Sequence, residues 1–434
     1  MSTTPRWRSA ALLAVPIAVL LPLTGPQAAS AASPTAGPPS VATSSRPPVS
    51  VPVDVSVPVE AGADVGVGAG AGAGAGLGAD AQADVDAKAG APQVPAPTTH
   101  RLIGAASVRL VDTGRHDPWR PDAATRELMA TLWYPAQSAR GGQLPYLSPE
   151  MSTARYGTPD LGAVGTGVRV RTVPAPGRHP LVVLSPGFGF DRSSLTALAE
   201  DLAARGYAVA ALDHTYETAV QFPDGRMESC LICDKVDDRL AAEVIRSRAK
   251  DIAFLIDRLT APGPGLVRGL RIDASRIGAA GHSIGGASAV EAMRVDGRIR
   301  AAANLDGDFF APLPAEGLAR PVLLLGAQRH AGETPTANWD ETWQHLTGWK
   351  RWLDLPEGGH LSFCDVHWLV DALGIRDQVP PDTAPGQYGS IKGARALAAT
   401  RAYLGAFFDR HLLDRPGRLL DGPSAAFPEV RFAK

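Results

Sequence analysis

The sequence predicts an α/β fold, a mostly parallel central sheet flanked by helices with antiparallel edge strands at its N-terminal side. Three observations carry this. Short, wholly apolar runs such as His179-Pro180-Leu181-Val182-Val183-Leu184 have the pattern of strands buried on both faces. Longer segments alternate with them and hold apolar residues at helical spacing, as at Ile252, Leu255, Ile256 and Leu259. Finally, the apolar run ending at Ala280 breaks at Gly281-His282-Ser283-Ile284-Gly285 into the small-residue helix Ala287-Ser288-Ala289-Val290-Glu291-Ala292-Met293, a strand, sharp turn and helix in immediate succession.

The 434 residues are 45% apolar with a formal net charge of −2, which leaves no electrostatic reason to expect nucleic acid as a partner. Residues 1–31 read as a secretory signal: Arg6 and Arg8, an apolar stretch from Ala10 to Leu23, and the small-residue cleavage site Ala29-Ser30-Ala31. The apolar stretch is shorter than a spanning helix needs, and Pro16 and Pro22 interrupt it. The expectation is therefore an exported, soluble protein. Residues 32–99 form an Ala/Gly/Pro/Val-rich stretch without aromatics, too poor in large apolar side chains to offset chain entropy, and read as a disordered leader or linker. The packed domain is expected over 100–434.

Within that domain, Ser107–Val111 and Arg126–Tyr134 are predicted as antiparallel edge strands, the second ending at Pro135. Next comes the apolar strand 179–184, stopping at Ser185-Pro186-Gly187-Phe188-Gly189. A helix carrying Leu195, Leu198 and Leu202 and ending at Gly206 leads into the strand Tyr207–Leu212. Arg239–Thr260 is predicted as a helix covering the sheet, with Arg246, Arg248, Lys250 and Asp257 turned to solvent. Strands then follow before Ser283, at Ile299–Leu305, at Pro321–Leu325 and at Trp349–Leu355, and a helix from about Ala394 to Leu413 closes the chain.

Three cysteines are present, and Cys230 and Cys233 are the expected disulfide pair because only two residues separate them. No strand is predicted to lead into this Cys-x-x-Cys, which argues against a redox motif, and no further ligands stand at zinc-site spacing.

The turn around Ser283 has the form of a nucleophile elbow. Gly281 and Gly285 leave room where the backbone is strained and its neighbours press close. Ser283 then projects from the turn, and the following helix aims free amides at the same point. A serine hydroxyl needs a histidine to take its proton, and the histidine needs a carboxylate. In the α/β-hydrolase arrangement the acid and then the histidine follow the serine at strand ends. His360, on the loop Pro356-Glu357-Gly358-Gly359 after the last strand, is favoured, with His330 as rival. Asp306 ends the strand 299–305 and is favoured over Asp308, which reads as a turn residue. Phe188 and Ile284 are the expected backbone oxyanion donors, since Pro186 has no amide hydrogen.

Gly-His-Ser-Ile-Gly-Gly-Ala, an aspartate 23 residues after the serine at a strand end, and the loop Gly359-His360-Leu361-Ser362-Phe363 together resemble the plasma-type platelet-activating factor acetylhydrolase-like family, an arrangement shared by bacterial secreted esterases and lipases. The resemblance covers about Leu102 to Leu413. It implies an α/β-hydrolase fold and a serine ester hydrolase with Ser283 as nucleophile, His360 as base, Asp306 as acid and no metal or cofactor. Pro186 departs from the family, which often has the histidine of a His-Gly oxyanion loop there, and this puts the rigidity of that loop in question. Small-molecule or lipid esters are the implied substrates, with transient contact at a lipid surface, and a monomer is expected. A lipase or polyester hydrolase, and a catalytically inactive hydrolase-fold binding protein, are the alternatives.

Overall fold

Alternating apolar runs and amphipathic segments become, in chain order, β1 (Ile103–Asp112), β2 (Arg126–Pro135), α1 (Pro149–Tyr156), β3 (Arg169–Val170), β4 (His179–Ser185), α2 (Thr196–Arg205) and β5 (Ala208–Asp213). The hairpin β6 (Val220–Gln221) and β7 (Met227–Glu228) comes next, then α3 (Asp238–Thr260), β8 (Ile272–His282), α4 (Ile284–Val295), β9 (Ile299–Leu305) and β10 (Val322–Ala327). The chain finishes with α5 (Trp339–His345), β11 (Lys350–Leu355), α6 (Asp365–Ala372), α7 (Ala384–Tyr388), α8 (Gly393–Leu412) and β12 (Arg431–Phe432). The structure, a computed structural model, describes residues 91–434 apart from 139, 158–159, 236, 264, 311–312 and 328–338. The expected signal sequence, most of the expected leader, and His330 lie outside the described residues.

Among the described residues the main sheet runs β12-β11-β10-β9-β8-β4-β5-β2-β1-β3. Neighbours from β5 through β11 are parallel, whereas β1 and β2 pair antiparallel, as do β2 and β5. Strand β4 shows how alternation builds two cores. Val182 and Leu184 join the apolar cluster that holds Leu198 and Leu202 of α2 and Leu404 and Phe408 of α8. Leu181 and Val183 face the other way, into the cluster of Ile252 and Leu255 on α3 and Val290 and Met293 on α4. Because α2 and α3 lie on opposite faces, the carboxyl ends of β4 and β8 flank a topological switch point, where open α/β sheets place their sites.

Four expectations need correction. Arg248 is buried rather than solvent-facing, because α3 packs it between Ile245 and Ile252 on the sheet side. Packing also begins before residue 100: Val94 is buried, and Arg401 donates to the carbonyls of Pro95 and Ala96. The chain does not close on α8, since it continues to β12, which pairs antiparallel with β11. A short strand, β7, does precede Cys230, although it belongs to a hairpin; the two sulfurs there stand at bonding distance.

Candidate active site

Strand β8 hands directly into α4, and Ser283 between them takes φ 57 and ψ −133, a backbone conformation few side chains adopt. The turn stays this tight because it lacks side chains on either side. A Cβ on Gly281 would stand 2.4 Å from the Gly285 carbonyl carbon, and one on Gly285 would stand 2.1 Å from the Ser185 carbonyl oxygen. The two glycines thus let β8, α4 and the end of β4 touch through backbone alone.

Asp306 follows β9 directly and also holds a positive φ of 59. Its Oδ1 accepts from the Ala327 amide at 2.7 Å, which leaves Oδ2 turned to His360. His360 opens a short helical turn after β11, where the Gly359 amide donates to Ser362 Oγ at 3.0 Å. The imidazole bridges the two: Nδ1 lies 2.6 Å from Asp306 Oδ2 and Nε2 lies 3.0 Å from Ser283 Oγ. Since a carboxylate only accepts, Nδ1 carries the proton and Nε2 is left to accept from the serine hydroxyl. Asp306 is fully buried, whereas the His360 side chain is 18% exposed and so within reach of an entering molecule. Such a chain of groups can take the serine proton and stabilise the resulting imidazolium.

His282 adds a brace. Its Nε2 donates to the His360 carbonyl at 2.7 Å, and the two rings lie 4.7 Å apart. Of the two expected oxyanion donors, Ile284 is the first residue of α4, whose amide has no acceptor within the helix, and Phe188 lies buried on the loop after β4. Neither amide donates to a backbone carbonyl in the turns and loops of the described residues.

His367 is excluded by its contacts. It is buried on α6, Arg376 Nη1 donates to its Nε2 at 3.0 Å, and its Nδ1 meets Ser362 Oγ at 3.0 Å. Burial pushes it down to about 4, so it remains neutral and supports the His360 turn from behind. His345 and His411 lie in α5 and α8, outside this hydrogen-bonded chain. No group of three or more His, Cys, Asp or Glu side chains converges as a metal site among the described residues.

Sequence reasoning missed a buried polar array beneath the Phe188 loop. Ser185 Oγ lies 2.9 Å from His214 Nε2, and His214 Nδ1 lies 2.8 Å from Asp251 Oδ2. This is a second serine, histidine and aspartate chain, yet its members are 0%, 1% and 0% exposed, so no substrate can reach it. Asp251 is also bound by Arg126 at 2.9 Å and by Arg115, and these guanidinium groups outweigh burial and hold its carboxyl well below the usual range. Burial, and next the charge of Arg248, push His214 down, which favours a neutral ring that donates to Asp251 and accepts from Ser185. A signal for the array was available. Positions 241, 244, 245, 248, 252, 255 and 256 form one helical stripe, and Arg248 is the single charge within it.

The fold is that of an α/β hydrolase, and the comparisons place the chain among carboxylic-ester hydrolases. Residues 121–223 match the family model for platelet-activating factor acetylhydrolase, isoform II. A solved structure of a ferulic acid esterase from Streptomyces cinnamoneus is 55% identical, covers 79% of this chain and 100% of that one, and superposes with a TM-score of 0.76. A probable 1-alkyl-2-acetylglycerophosphocholine esterase from Arthroderma benhamiae is 29% identical over 58% of this chain and 66% of its own. A bis(hydroxyethyl) terephthalate hydrolase from Streptomyces coelicolor is 28% identical over 42% of this chain and 49% of its own. The chain thus matches about half to two thirds of the length of these curated relatives. It belongs to the platelet-activating factor acetylhydrolase-like family of α/β-hydrolase esterases.

Proposed function

We propose that this protein hydrolyses carboxylic esters through an acyl-enzyme formed on Ser283. The observation that carries the reading is the continuous hydrogen-bonded chain from Ser283 Oγ through His360 to Asp306. Ser283 attacks the ester carbonyl as its proton passes to His360 Nε2. The amides of Phe188 and Ile284 receive the developing oxyanion, and Asp306 stabilises the imidazolium. Collapse of the tetrahedral species expels the alcohol, protonated by His360. Water, activated by the same histidine, then releases the acid. In this reading the protein is a monomer that needs no metal or cofactor. It is exported through residues 1–31, residues 32–99 serve as a spacer, and Cys230 and Cys233 form a disulfide.

For substrate we propose esters of aromatic carboxylic acids. The relative with the highest identity reported above is a ferulic acid esterase, and the bis(hydroxyethyl) terephthalate hydrolase is likewise named for an ester of an aromatic acid. A second reading, an acetylated glycerophospholipid reached at a lipid surface, is favoured by the family model and the fungal relative. Purified protein assayed with methyl ferulate, p-nitrophenyl acetate and a 2-acetyl glycerophospholipid separates the two. The expected result is a kcat/KM for methyl ferulate at least tenfold above that for the phospholipid. The reverse ranking assigns the second reading, and a folded protein that turns over none of them contradicts ester hydrolysis.

A further inference from the structure

We infer that Glu217 and Arg248 are positioning residues for the oxyanion loop, holding it through their ion pair and through hydrogen bonds to its backbone; this rests on the serine-hydrolase reading proposed above. Arg248 Nη1 donates to the Pro186 carbonyl at 2.5 Å, and its Nε donates to Glu217 Oε2 at 2.6 Å. Glu217 then reaches the other side of the same loop through its own backbone, its carbonyl accepting from the Gly189 amide at 3.1 Å. Thr218 Oγ1 donates to the Gly189 carbonyl at 3.1 Å. Phe188, the expected donor, is therefore held between two anchored neighbours. Both anchors come from one pair of consecutive residues and the arginine bound to the first of them.

The anchors are themselves fixed. Glu217 Oε1 accepts from Trp119 Nε1 at 2.9 Å, and Arg248, Glu217 and Thr218 are all buried. An arginine in this place makes bonds that a neutral side chain cannot. The guanidinium is planar, permanently charged and able to serve a carboxylate and a carbonyl from separate nitrogens. Burial removes the competition from water that weakens such bonds at a surface. A loop with a proline at 186 and glycines at 187 and 189 has wide freedom in isolation. Preorganised donors lower the barrier because they need not reorganise as the oxyanion forms. Tying Pro186 and Gly189 confers that preorganisation on Phe188, and it acts in the transition state rather than on ground-state binding.

The test is Glu217→Gln, which preserves size and removes the charge that orients Arg248, with Thr218→Val as a milder second variant. Each is assayed on p-nitrophenyl acetate, at a temperature where circular dichroism shows it folded, alongside Ser283→Ala. The expected result for Glu217→Gln is a kcat about 10 to 100-fold lower with KM within about threefold. Affinity for a trifluoromethyl ketone that forms a tetrahedral adduct falls by a similar factor. Thr218→Val is expected to lower kcat about 3 to 10-fold by the same route and decides the matter if Glu217→Gln does not fold. Melting temperatures that fall while kcat and adduct affinity hold within twofold would overturn the inference. Undiminished turnover by Ser283→Ala would instead remove the serine-hydrolase reading beneath it.

Discussion

Asp306 and Asp308 are two residues apart in a short loop, and the choice between them is decided by single atoms. Asp306 Oδ2 meets His360 at 2.6 Å while its Oδ1 is held by the Ala327 amide. Its positive φ turns the carboxylate from the strand axis toward the histidine, and Gly307 makes this possible, since a Cβ there would lie 2.0 Å from the Ser283 carbonyl oxygen. Asp306→Asn is expected to lower kcat by about three to four orders of magnitude by presenting the wrong histidine tautomer, with Asp308→Asn within a few-fold of wild type. Steady-state kinetics of the two variants checks this; comparable losses would move the acid away from Asp306. The sequence placed Asp306 by its position at a strand end. It had no means of finding Ala327, whose amide comes from the neighbouring strand end.

At the scale of elements, α2 departs most from its sequence pattern. Leu195, Leu198 and Leu202 predict one apolar face, but every residue from Thr196 to Ala204 is buried. Residues 93–98 and α8 cover what would have been its solvent side: Thr98 bonds Asp201 and Arg401 reaches the Ala197 carbonyl. Glu200 is sealed in with them, and burial pushes its carboxyl up to about 7, against the pull of Arg401. In the unfolded chain a glutamate ionises near about 4.3. The native state therefore binds its proton more tightly, and the contribution of this group to stability declines as pH rises from about 4.3 to about 7. Glu200→Gln stays neutral throughout. Its melting temperature is expected to match wild type near pH 4.5 and to exceed it by about 2–5 °C at pH 8, from about 1–3 kcal/mol. Calorimetry at the two pH values checks the sign, and an equal offset at both would contradict the account.

Across the whole molecule, what was legible followed from periodicity and order. Buried parallel strands are continuous apolar runs, so β4, β5, β8, β9 and β10 could be read directly, while β11 was legible from its period-two alternation. The order serine, aspartate, histidine at the ends of β8, β9 and β11 then located the candidate site. Elements whose formation depends on distant partners were not legible. Strand β12 has two residues and exists only against β11, and α6 and α7 fill a connection that carries no strong helical stripe. Arg248 was misread because charge was taken as a sign of exposure, although its helical position lies on the apolar face. An arginine is placed there at a desolvation cost, and it is tolerated because Glu217 and the Pro186 carbonyl satisfy it.

Among the described residues the molecule holds two serine, histidine and aspartate chains, and in the reading proposed above only the one at the carboxyl ends of β8, β9 and β11 is chemically active. Treatment of the folded protein with a fluorophosphonate, followed by mass spectrometry of its peptides, separates them in one step. The account predicts a single stoichiometric adduct on Ser283, absent from Ser283→Ala and formed far more slowly by His360→Ala. An adduct on Ser185, or no adduct on a protein that still turns over ester, would contradict it.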